Sequence, residues 1–257
     1  MGVQDSLSDL LRGYAEGRLT LEEAVSQIRL LSCRTVGEMA KLDTGRGERT
    51  GIPEAILADG KTAEDLAEIA LAHLEETSSV IVTRISAEQL TLLQQLDLPP
   101  GADLEHNARA RTAVLRRGPK KMLRGKVGIL AAGTADIQVA EEARVVAEEM
   151  GCQVVSEYDV GVAGIHRLFP SLERLRDADA LVVAAGREGT LPAVVAGLAD
   201  APVIGLPVST GYGLGGDGVA ALLSMLQSCS VITVVNIDAG FVAGAYAARI
   251  ALRRGGV

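Results

Sequence analysis

The sequence is poor in aromatic side chains: only 2% of its 257 residues are Phe, Tyr or Trp, and tryptophan is absent. Proteins that stack single-stranded nucleic acid on their surface depend on such rings, so this class of protein is disfavoured. Basic side chains are also in the minority, with 25 Lys and Arg against 33 Asp and Glu and a net charge of −8. An acidic chain of this kind does not predict a nucleic-acid partner.

Cysteines and long apolar runs are scarce as well. The three cysteines, Cys33, Cys152 and Cys229, are far apart and form no C-x-x-C pair, which argues against a disulfide framework or a zinc site. Apolar stretches such as 239–248 are shorter than the roughly 18–20 residues that span a bilayer. The amino-terminal residues lack the apolar region of a secretion signal. We therefore predict a cytoplasmic protein with no membrane partner, in which Cys33 and Cys152 are structural.

Hydrophobic residues make up 48% of the chain, which is enough to form a sizeable core. In the carboxy-terminal half they fall into five short runs, each separated from the next by a segment with helical periodicity. The runs are KVGILAAG, CQVVSEYDV, ADALVVAAG, APVIGLPV and VITVVNI. Continuous apolar runs are typical of strands that are buried on both faces of a parallel sheet. They predict an α/β, flavodoxin-like, doubly wound sheet with helices on both sides.

The amino-terminal half has a less regular pattern. Leucines at helical spacing predict a helical hairpin over 5–31, and Gly, Thr, Pro and alternating charge predict a loop over 37–53. A strand–helix–strand–helix pattern follows from residue 54, and residues 102–116 have the pattern of extended edge strands. These segments predict a smaller α/β domain preceded by helices.

A basic stretch, RRGPKKMLRGK at 116–126, separates the two patterns. Its glycines and proline disfavour regular structure, so we interpret it as a solvated linker. The predicted domains are 1–120 for the helices, loop and small domain, and 121–257 for the larger domain. In doubly wound sheets ligands bind beyond the carboxyl ends of the strands, so the loops that follow the predicted strands are the candidate site.

The loop after the first of these strands reads Gly133-Thr134-Ala135-Asp136 and leads into a helical segment. Glycine allows close backbone approach, and the free N–H groups at a helix start bind anions, with Thr134 as a further donor. Asp136 in such a place is suited to a ribose hydroxyl, a metal or a proton. The alternative is that Asp136 only caps the helix.

The next two loops add charged side chains. His166 and Arg167 follow the second strand; arginine suits bidentate binding of phosphate or carboxylate, and histidine can act as acid, base or anion donor. Glu188 follows the third strand in Gly186-Arg187-Glu188-Gly189, where it is a candidate general acid or base. A surface His–Arg pair and a helix-capping Glu188 are the alternatives.

The fourth strand leads to GYGLGGDGVAALLSMLQSCS, in which Gly211, Gly213 and Gly216 match the G-x-G-x-x-G of dinucleotide-binding folds. That fingerprint belongs after the first strand of a βαβ unit, with an acidic residue about 20 positions on. Here it follows the fourth strand, and Asp238, at nearly the right spacing, follows the last. The context argues against a nicotinamide-reducing oxidoreductase.

Cys229 lies near the end of the same stretch. Free cysteine is among the most buried residue types, which favours core packing. Polar neighbours such as Ser224, Gln227 and Ser228 interrupt the apolar face, however, so a chemical role for the thiol stays open.

A charged loop in the amino-terminal half carries Asp43, Arg46 and Arg49. Two arginines in a loop can clamp a phosphate or a carboxylate. The alternative is a solvated, charged loop.

Several of these motifs together resemble one family. GTAD at 133–136, HR at 166–167 and PVIGLPV resemble the PurE-like class of aminoimidazole ribonucleotide carboxylases and mutases. A closer match covers nearly the whole chain and resembles LarB, the first enzyme of nickel-pincer nucleotide biosynthesis. Its segments are LDxxRxxRTGxPE at 42–54, GKT at 60–62, DVGVAGIHRL at 159–168, GREGTLPAVVAGL at 186–198, GYGLGGDGVAALLSMLQSC at 211–229 and VVNIDAGFVAGAYAA at 234–248.

The resemblance implies a reaction. Nicotinic acid adenine dinucleotide would be carboxylated at C5 of its pyridinium ring, from CO2 or bicarbonate, and its phosphoanhydride hydrolysed. The products would be pyridinium-3,5-biscarboxylic acid mononucleotide and AMP. No tightly bound organic cofactor is implied; Mg²⁺ assisting the hydrolysis is plausible chemistry, although no ligand cluster stands out. The resemblance also implies a homo-oligomer, with an octamer as one possibility.

Residue roles follow by the same resemblance. Cys229 matches the cysteine that adds to C4 of the pyridinium, and Glu188 matches the acidic residue to which we assign the C5 proton or protonation of the leaving thiolate. Asp43 counts with the catalytic residues, and Arg46 and Arg49 face the substrate carboxylate or diphosphate. The other substrate-binding residues are Thr134, Asp136, His166, Arg167, Gly211, Tyr212, Gly213, Gly216 and Asp217.

Two positions depart from the family pattern. Gly45 stands where the family usually has a histidine, so anhydride hydrolysis is expected to be slower or different if that histidine assists it. Ala135 stands where PurE-type loops often have serine, which removes a phosphate donor. The rival functions are a PurE-type carboxylase or mutase of purine biosynthesis and a non-catalytic nucleotide-binding regulator.

Overall fold

The computed structural model describes residues 3–30, 34–36, 40–43 and 45–254, so Cys33 lies outside the described residues. The chain divides into two compact units. The smaller unit comprises residues 1–82, 86–104 and 114–118, and the larger comprises 83–85, 105–113 and 119–257. The last passage from one unit to the other falls within the basic stretch 116–126. No helix in the described ranges is long and apolar enough to cross a bilayer.

The smaller unit begins with two helices, α1 (Val3–Ala15) and α2 (Leu21–Leu30), as the leucine spacing predicted. The predicted loop over 37–53 is wrong in part. Residues Ala40–Leu42 form a strand, β2, that pairs antiparallel with β1 (Arg34–Val36), and Arg46–Thr50 form a short helix, α3. Elements of three to five residues are too short to show a periodicity, which is why the sequence pattern missed them.

A four-stranded sheet in the order β3-β4-β6-β5 follows. Its elements are β3 (Ala55–Leu57), α4 (Ala63–Glu76), β4 (Ser79–Thr83), α5 (Ala87–Gln94), β5 (Ala102–Asn107) and β6 (Thr112–Arg117). The prediction of edge strands over 102–116 is right for β5 and wrong for β6. Strand β6 lies between β4 and β5 and is buried from Thr112 to Arg116.

The larger unit contains a five-stranded, all-parallel sheet in the order β11-β10-β9-β7-β8. Its elements are β7 (Lys126–Ala131), α6 (Ile137–Glu149), β8 (Gln153–Tyr158), α7 (Leu168–Arg174), β9 (Ala180–Ala185), α8 (Leu191–Ala196), β10 (Val203–Pro207), α9 (Val219–Leu226), β11 (Ile232–Val234) and α10 (Gly240–Arg254). This order confirms the flavodoxin-like, doubly wound α/β fold. The order in which successive strands are added to the sheet reverses between β7 and β9, and the crevice of such folds lies at this switch point.

Helices cover both faces of this sheet. Helices α6 and α10 approach each other so closely that a Cβ on Gly244 would lie 2.3 Å from the Ala143 carbonyl oxygen. On the other face, side chains of α7, α8 and α9 form a buried cluster with the strands, including Leu168, Leu191 and Met225. Both packings hold the carboxyl ends of the strands, and hence the loops that follow them, in fixed positions.

One buried carboxyl group makes the stability of the larger unit sensitive to pH. Glu142 on α6 is 7% exposed and accepts hydrogen bonds from the backbone N–H groups of Phe241 and Gly240 at the start of α10. Burial raises the pKa of Glu142 to about 7, against the opposing charge of Arg84. Because the folded-state pKa lies above the unfolded value, the folded protein holds the extra proton, and its stability falls as pH rises from about 4.5 to about 7.

We therefore expect Glu142→Gln to gain stability relative to the parent as pH rises. Glutamine keeps an acceptor oxygen for the start of α10 but carries no charge, so the difference in unfolding free energy should shift by about 3 kcal/mol between pH 4.5 and pH 8. Thermal melts across this range measure it. Glu173→Gln, at an exposed glutamate, is the control and should show no such trend; parallel behaviour of the two variants would contradict the assignment.

Candidate active site

A cavity of about 490 Å³ lies in the larger unit at the carboxyl ends of β7, β8, β9 and β10. This is where ligands bind in doubly wound sheets. The polar side chains among its lining residues are Thr134, Asp136, Asp159, Arg167, Arg187, Glu188, Thr190, Thr210 and Tyr212. The cavity thus combines three carboxylates and two guanidinium groups with hydroxyl donors, a set suited to a polar ligand that carries charged groups.

Asp136 ties three of the cavity loops together. One carboxylate oxygen, Oδ2, accepts from the Gly133 N–H at 2.8 Å, and Oδ1 accepts from the Gly186 N–H at 3.1 Å and the Thr210 hydroxyl at 2.8 Å. The side chain makes no capping hydrogen bond to α6, so the helix-cap alternative is wrong. Burial raises the pKa of this carboxyl, and the three hydrogen bonds oppose that rise.

The backbones of these loops meet because glycine stands at the contact points. A Cβ on Gly186 would lie 2.3 Å from the Thr210 carbonyl oxygen, and one on Gly161 would lie 2.7 Å from the Ala132 carbonyl oxygen. No side chain can occupy either position without displacing backbone. The strand-end glycines therefore serve the assembly of the cavity itself.

Arg167 reaches the cavity wall, whereas His166 does not. The Arg167 guanidinium forms an ion pair with Asp159, which also lines the cavity. Gly164 leaves room for it, since a Cβ there would lie 2.7 Å from Arg167 Nε. His166 is exposed and is not among the lining residues, so the predicted pair is divided between the wall and the outer surface.

Glu188 is exposed on the cavity wall, and Thr190 rather than Glu188 occupies the N-cap position of α8. Its neighbour Arg187 was not predicted as a site residue. The Arg187 guanidinium carbon lies 4.5 Å from the centroid of the Tyr212 ring, a cation–π contact in the cavity wall. An arginine between two glycines at a strand end was the available signal for this residue.

The glycine-rich loop enters the cavity only at its start. Gly211 and Tyr212 line it, whereas Gly213, Gly216 and Asp217 are not among the lining residues. Gly213 and Asp217 adopt left-handed backbone conformations, with φ of 82° and 56°. The loop turns away from the cavity and then starts α9.

Cys229 lies three residues beyond α9 and is exposed, outside the set of cavity-lining residues. The core-packing alternative therefore does not hold for this cysteine. Cys152, in contrast, is packed in the core, as predicted for a structural cysteine. It is buried, and its Sγ lies 3.9 Å from the Ala248 carbonyl oxygen. Burial raises the pKa of its thiol to about 11.

The predicted residues of the amino-terminal loop come together within the smaller unit. Arg49 donates to Asp43 through both terminal nitrogens, with Nη1 at 2.9 Å from Oδ1. The hydrogen bond from Arg49 holds the pKa of Asp43 below its usual value, so this carboxylate stays ionised at neutral pH. Arg46 lies one turn before Arg49 on α3, on the same side of the helix. Gly45 is buried at the start of α3.

No group of three or more His, Cys, Asp or Glu within the described ranges is arranged to hold a metal ion. The structure therefore names no residues for a resident metal centre.

Two family models match the chain. The model described as "AIR carboxylase" matches residues 126–254, and the one described as "LarB/PurE-like N-terminal domain" matches residues 34–117. The chain belongs to the LarB/PurE-like carboxylase family. The cavity lies within the AIR carboxylase match, and Asp43, Arg46 and Arg49 lie within the LarB/PurE-like match.

Curated proteins give the same division. An uncharacterised protein of Methanocaldococcus jannaschii is 42% identical over 252 residues, covering 96% of this chain and 97% of its own. An N5-carboxyaminoimidazole ribonucleotide mutase of the same organism is 36% identical over 117 residues, or 44% of this chain and 69% of the mutase. A mutase of the same description from Thermotoga maritima is 29% identical over 115 residues, covering 42% and 65%. The uncharacterised relative is thus similar over nearly the whole of this LarB/PurE-like chain, and the mutases are similar over less than half of it.

Proposed function

We propose that this LarB/PurE-like protein carboxylates the pyridinium ring of nicotinic acid adenine dinucleotide at C5 and hydrolyses its phosphoanhydride. The products are pyridinium-3,5-biscarboxylic acid mononucleotide and AMP. The observation that carries the proposal is the exposed thiol of Cys229, at the end of the stretch that begins in the cavity wall. A thiol with no packing role, in a family of carboxylating enzymes, is a candidate nucleophile.

The chemistry needs a nucleophile because a pyridinium ring is electron-poor and does not attack CO2. The Cys229 thiolate adds to C4, and the ring becomes a neutral dihydropyridine in which C5 is the nucleophilic carbon of an enamine. C5 then forms a bond to the carbon of CO2. Removal of the C5 proton and departure of the thiolate from C4 restore the aromatic ring, so no oxidant or reductant is required.

Glu188 is the proposed base for the C5 proton. Its carboxylate is exposed on the cavity wall and is free of a helix-capping role. The ribose phosphate is assigned to the loop of Thr134 and Asp136 and to Arg167, which line the same cavity. An exposed threonine hydroxyl and a guanidinium are ordinary phosphate donors.

Hydrolysis of the anhydride is assigned to the amino-terminal loop. Asp43 stays ionised beside Arg49, so its carboxylate can accept a hydrogen bond from the attacking water and orient it, and Arg46 and Arg49 suit the diphosphate. Magnesium in this step would be bound mainly by the diphosphate oxygens of the substrate, as is usual for this ion.

We also propose that the protein forms a homo-oligomer, because the segment that contains Cys229 carries several exposed apolar side chains. They are Leu214, Val219, Leu223, Leu226 and Val231. We assign this surface to a second copy of the chain, which would bring Cys229 beside a neighbouring cavity. Measuring the mass of the particle in solution tests the proposed oligomer. The strongest form of the proposal is an octamer.

The activity itself is tested with purified protein, nicotinic acid adenine dinucleotide and ¹³C-bicarbonate. We expect release of AMP and a mononucleotide whose mass has increased by one labelled carboxyl group. Aminoimidazole ribonucleotide and its N5-carboxy derivative are the comparison substrates. Turnover of these without ring carboxylation would replace the proposal with a purine-pathway function, and binding of the dinucleotide without any product would indicate a regulator.

A further inference from the structure

Arg187 is the second arginine of the cavity wall. Arg167 is paired with Asp159, but within the described part of the chain no carboxylate lies at ion-pair distance from Arg187. Its contact is the face of the Tyr212 ring. A guanidinium at a cavity without a carboxylate is available to an anionic group of the ligand.

The backbone holds Arg187 in place at a cost. Its φ of 45° is in the left-handed region, which residues other than glycine rarely adopt because it strains the backbone. Its N–H donates to the Thr210 carbonyl oxygen at 3.2 Å. The adjacent Gly186 packs so closely on Thr210 that a Cβ would lie 2.3 Å from the same carbonyl oxygen. A long charged side chain in a position that favours glycine implies that its direction matters.

Tyr212 is the aromatic partner of Arg187 in the cation–π contact. Tyr212 is 77% exposed although it belongs to the cavity wall, and Arg187 lies over one face of its ring. A guanidinium is a flat, delocalised cation, so the space above Tyr212 is a site for flat cations. A pyridinium ring is also a flat cation and could take the same place.

We propose that Tyr212 and Arg187 select the substrate ring: Tyr212 stacks on the pyridinium, and Arg187, displaced from that ring, binds the pyridine carboxylate through its paired N–H groups. The inference rests on the proposed function and deepens it, because it assigns the discrimination between a pyridine carboxylic acid and the corresponding amide. An amide offers one neutral oxygen where the carboxylate offers two charged ones, so the bidentate pair forms only with the acid.

The test compares binding of nicotinic acid mononucleotide and nicotinamide mononucleotide by calorimetry. These probes contain no anhydride, and CO2-free buffer prevents carboxylation. The parent protein should prefer the acid, and Arg187→Met should reduce that preference by about 10- to 100-fold. Arg176→Met, which removes an exposed arginine on the turn after α7, is the matched control and should keep the preference.

Substitutions of Tyr212 should affect binding in a different way from substitutions of Arg187. Tyr212→Leu should weaken binding of both oxidised mononucleotides by about 5- to 10-fold without changing their ratio, while Tyr212→Phe binds like the parent. Reduced nicotinamide mononucleotide, whose ring is uncharged, should be affected less by Tyr212→Leu than the oxidised form.

The outcomes separate this inference from the proposed function. An acid preference that survives in folded Arg187→Met, or that is missing from the parent, overturns the inference even if the dinucleotide is carboxylated. Loss of the preference in Arg187→Met supports it, and it stands in that case even if carboxylation of the dinucleotide is never observed and the proposed function fails.

Discussion

Replacing Cys229 with serine is expected to abolish carboxylation of nicotinic acid adenine dinucleotide, by a factor of at least about 10³. Serine has nearly the same shape, but its hydroxyl does not add to the pyridinium C4 at neutral pH. Because Cys229 is exposed, the substitution should leave the melting temperature unchanged. The measurement is the rate of ¹³C incorporation into the mononucleotide.

Covalent addition has a second readout that does not require CO2. While the thiolate is bonded to C4, the nucleophilic C5 can take a deuteron from D2O and then lose its original proton. The parent protein should therefore exchange the C5 hydrogen of the substrate in CO2-free D2O, as seen by NMR, and Cys229→Ser should not. Cys152→Ala is the control, since that thiol is buried in the larger unit; it should retain both reactions. A Cys229→Ser variant that still carboxylates the ring would remove the nucleophile from the mechanism.

The second large effect is expected from Asp136→Asn. The carboxylate accepts three hydrogen bonds, from two N–H groups and a hydroxyl. An asparagine has one acceptor oxygen, so its NH2 group must face at least one N–H donor, that of Gly133 in the least costly orientation. One unsatisfied buried donor costs about 1–3 kcal/mol of stability. The loop of Thr134 is also released, and we expect ligand affinity to fall by about 10- to 100-fold.

Thermal melts and calorimetry with nicotinic acid mononucleotide measure these two effects. Asp200→Asn removes an exposed carboxylate from the same unit and should change neither quantity. If Asp136→Asn were as stable as the parent and bound the mononucleotide equally well, the role of Asp136 in holding the three loops would be refuted.

The parallel sheet was accessible from the sequence, because strands buried on both faces appear as unbroken apolar runs. The position of the cavity then followed from the rule for doubly wound sheets. Short elements were less accessible: β2 and α3 are too brief to show a periodicity, and the position of β6 inside its sheet depends on pairing with β4, which no local pattern reveals.

The contacts inside the cavity could not be read from the sequence. Asp136 bonds to residues 50 and 74 positions away, and Arg187 meets a ring 25 positions on, in the next strand-end loop. Such contacts depend on how the strand ends are brought side by side. The motif resemblance named one residue of each contact, Asp136 or Tyr212, as a site residue. It did not name their partners Gly186, Thr210 and Arg187.

The left-handed backbone conformations also bear on how this protein could be engineered. Among the described residues, six other than glycine adopt them, and two of the six, Asp159 and Arg187, line the cavity. Glycine at these two positions would relieve local strain, so a search for thermostable variants should find them readily. Such variants would also lack two of the charged side chains of the cavity wall. Resistance to heat and recognition of substrate thus compete at the same two positions, and heat-selected libraries should be screened there for binding as well as for melting temperature.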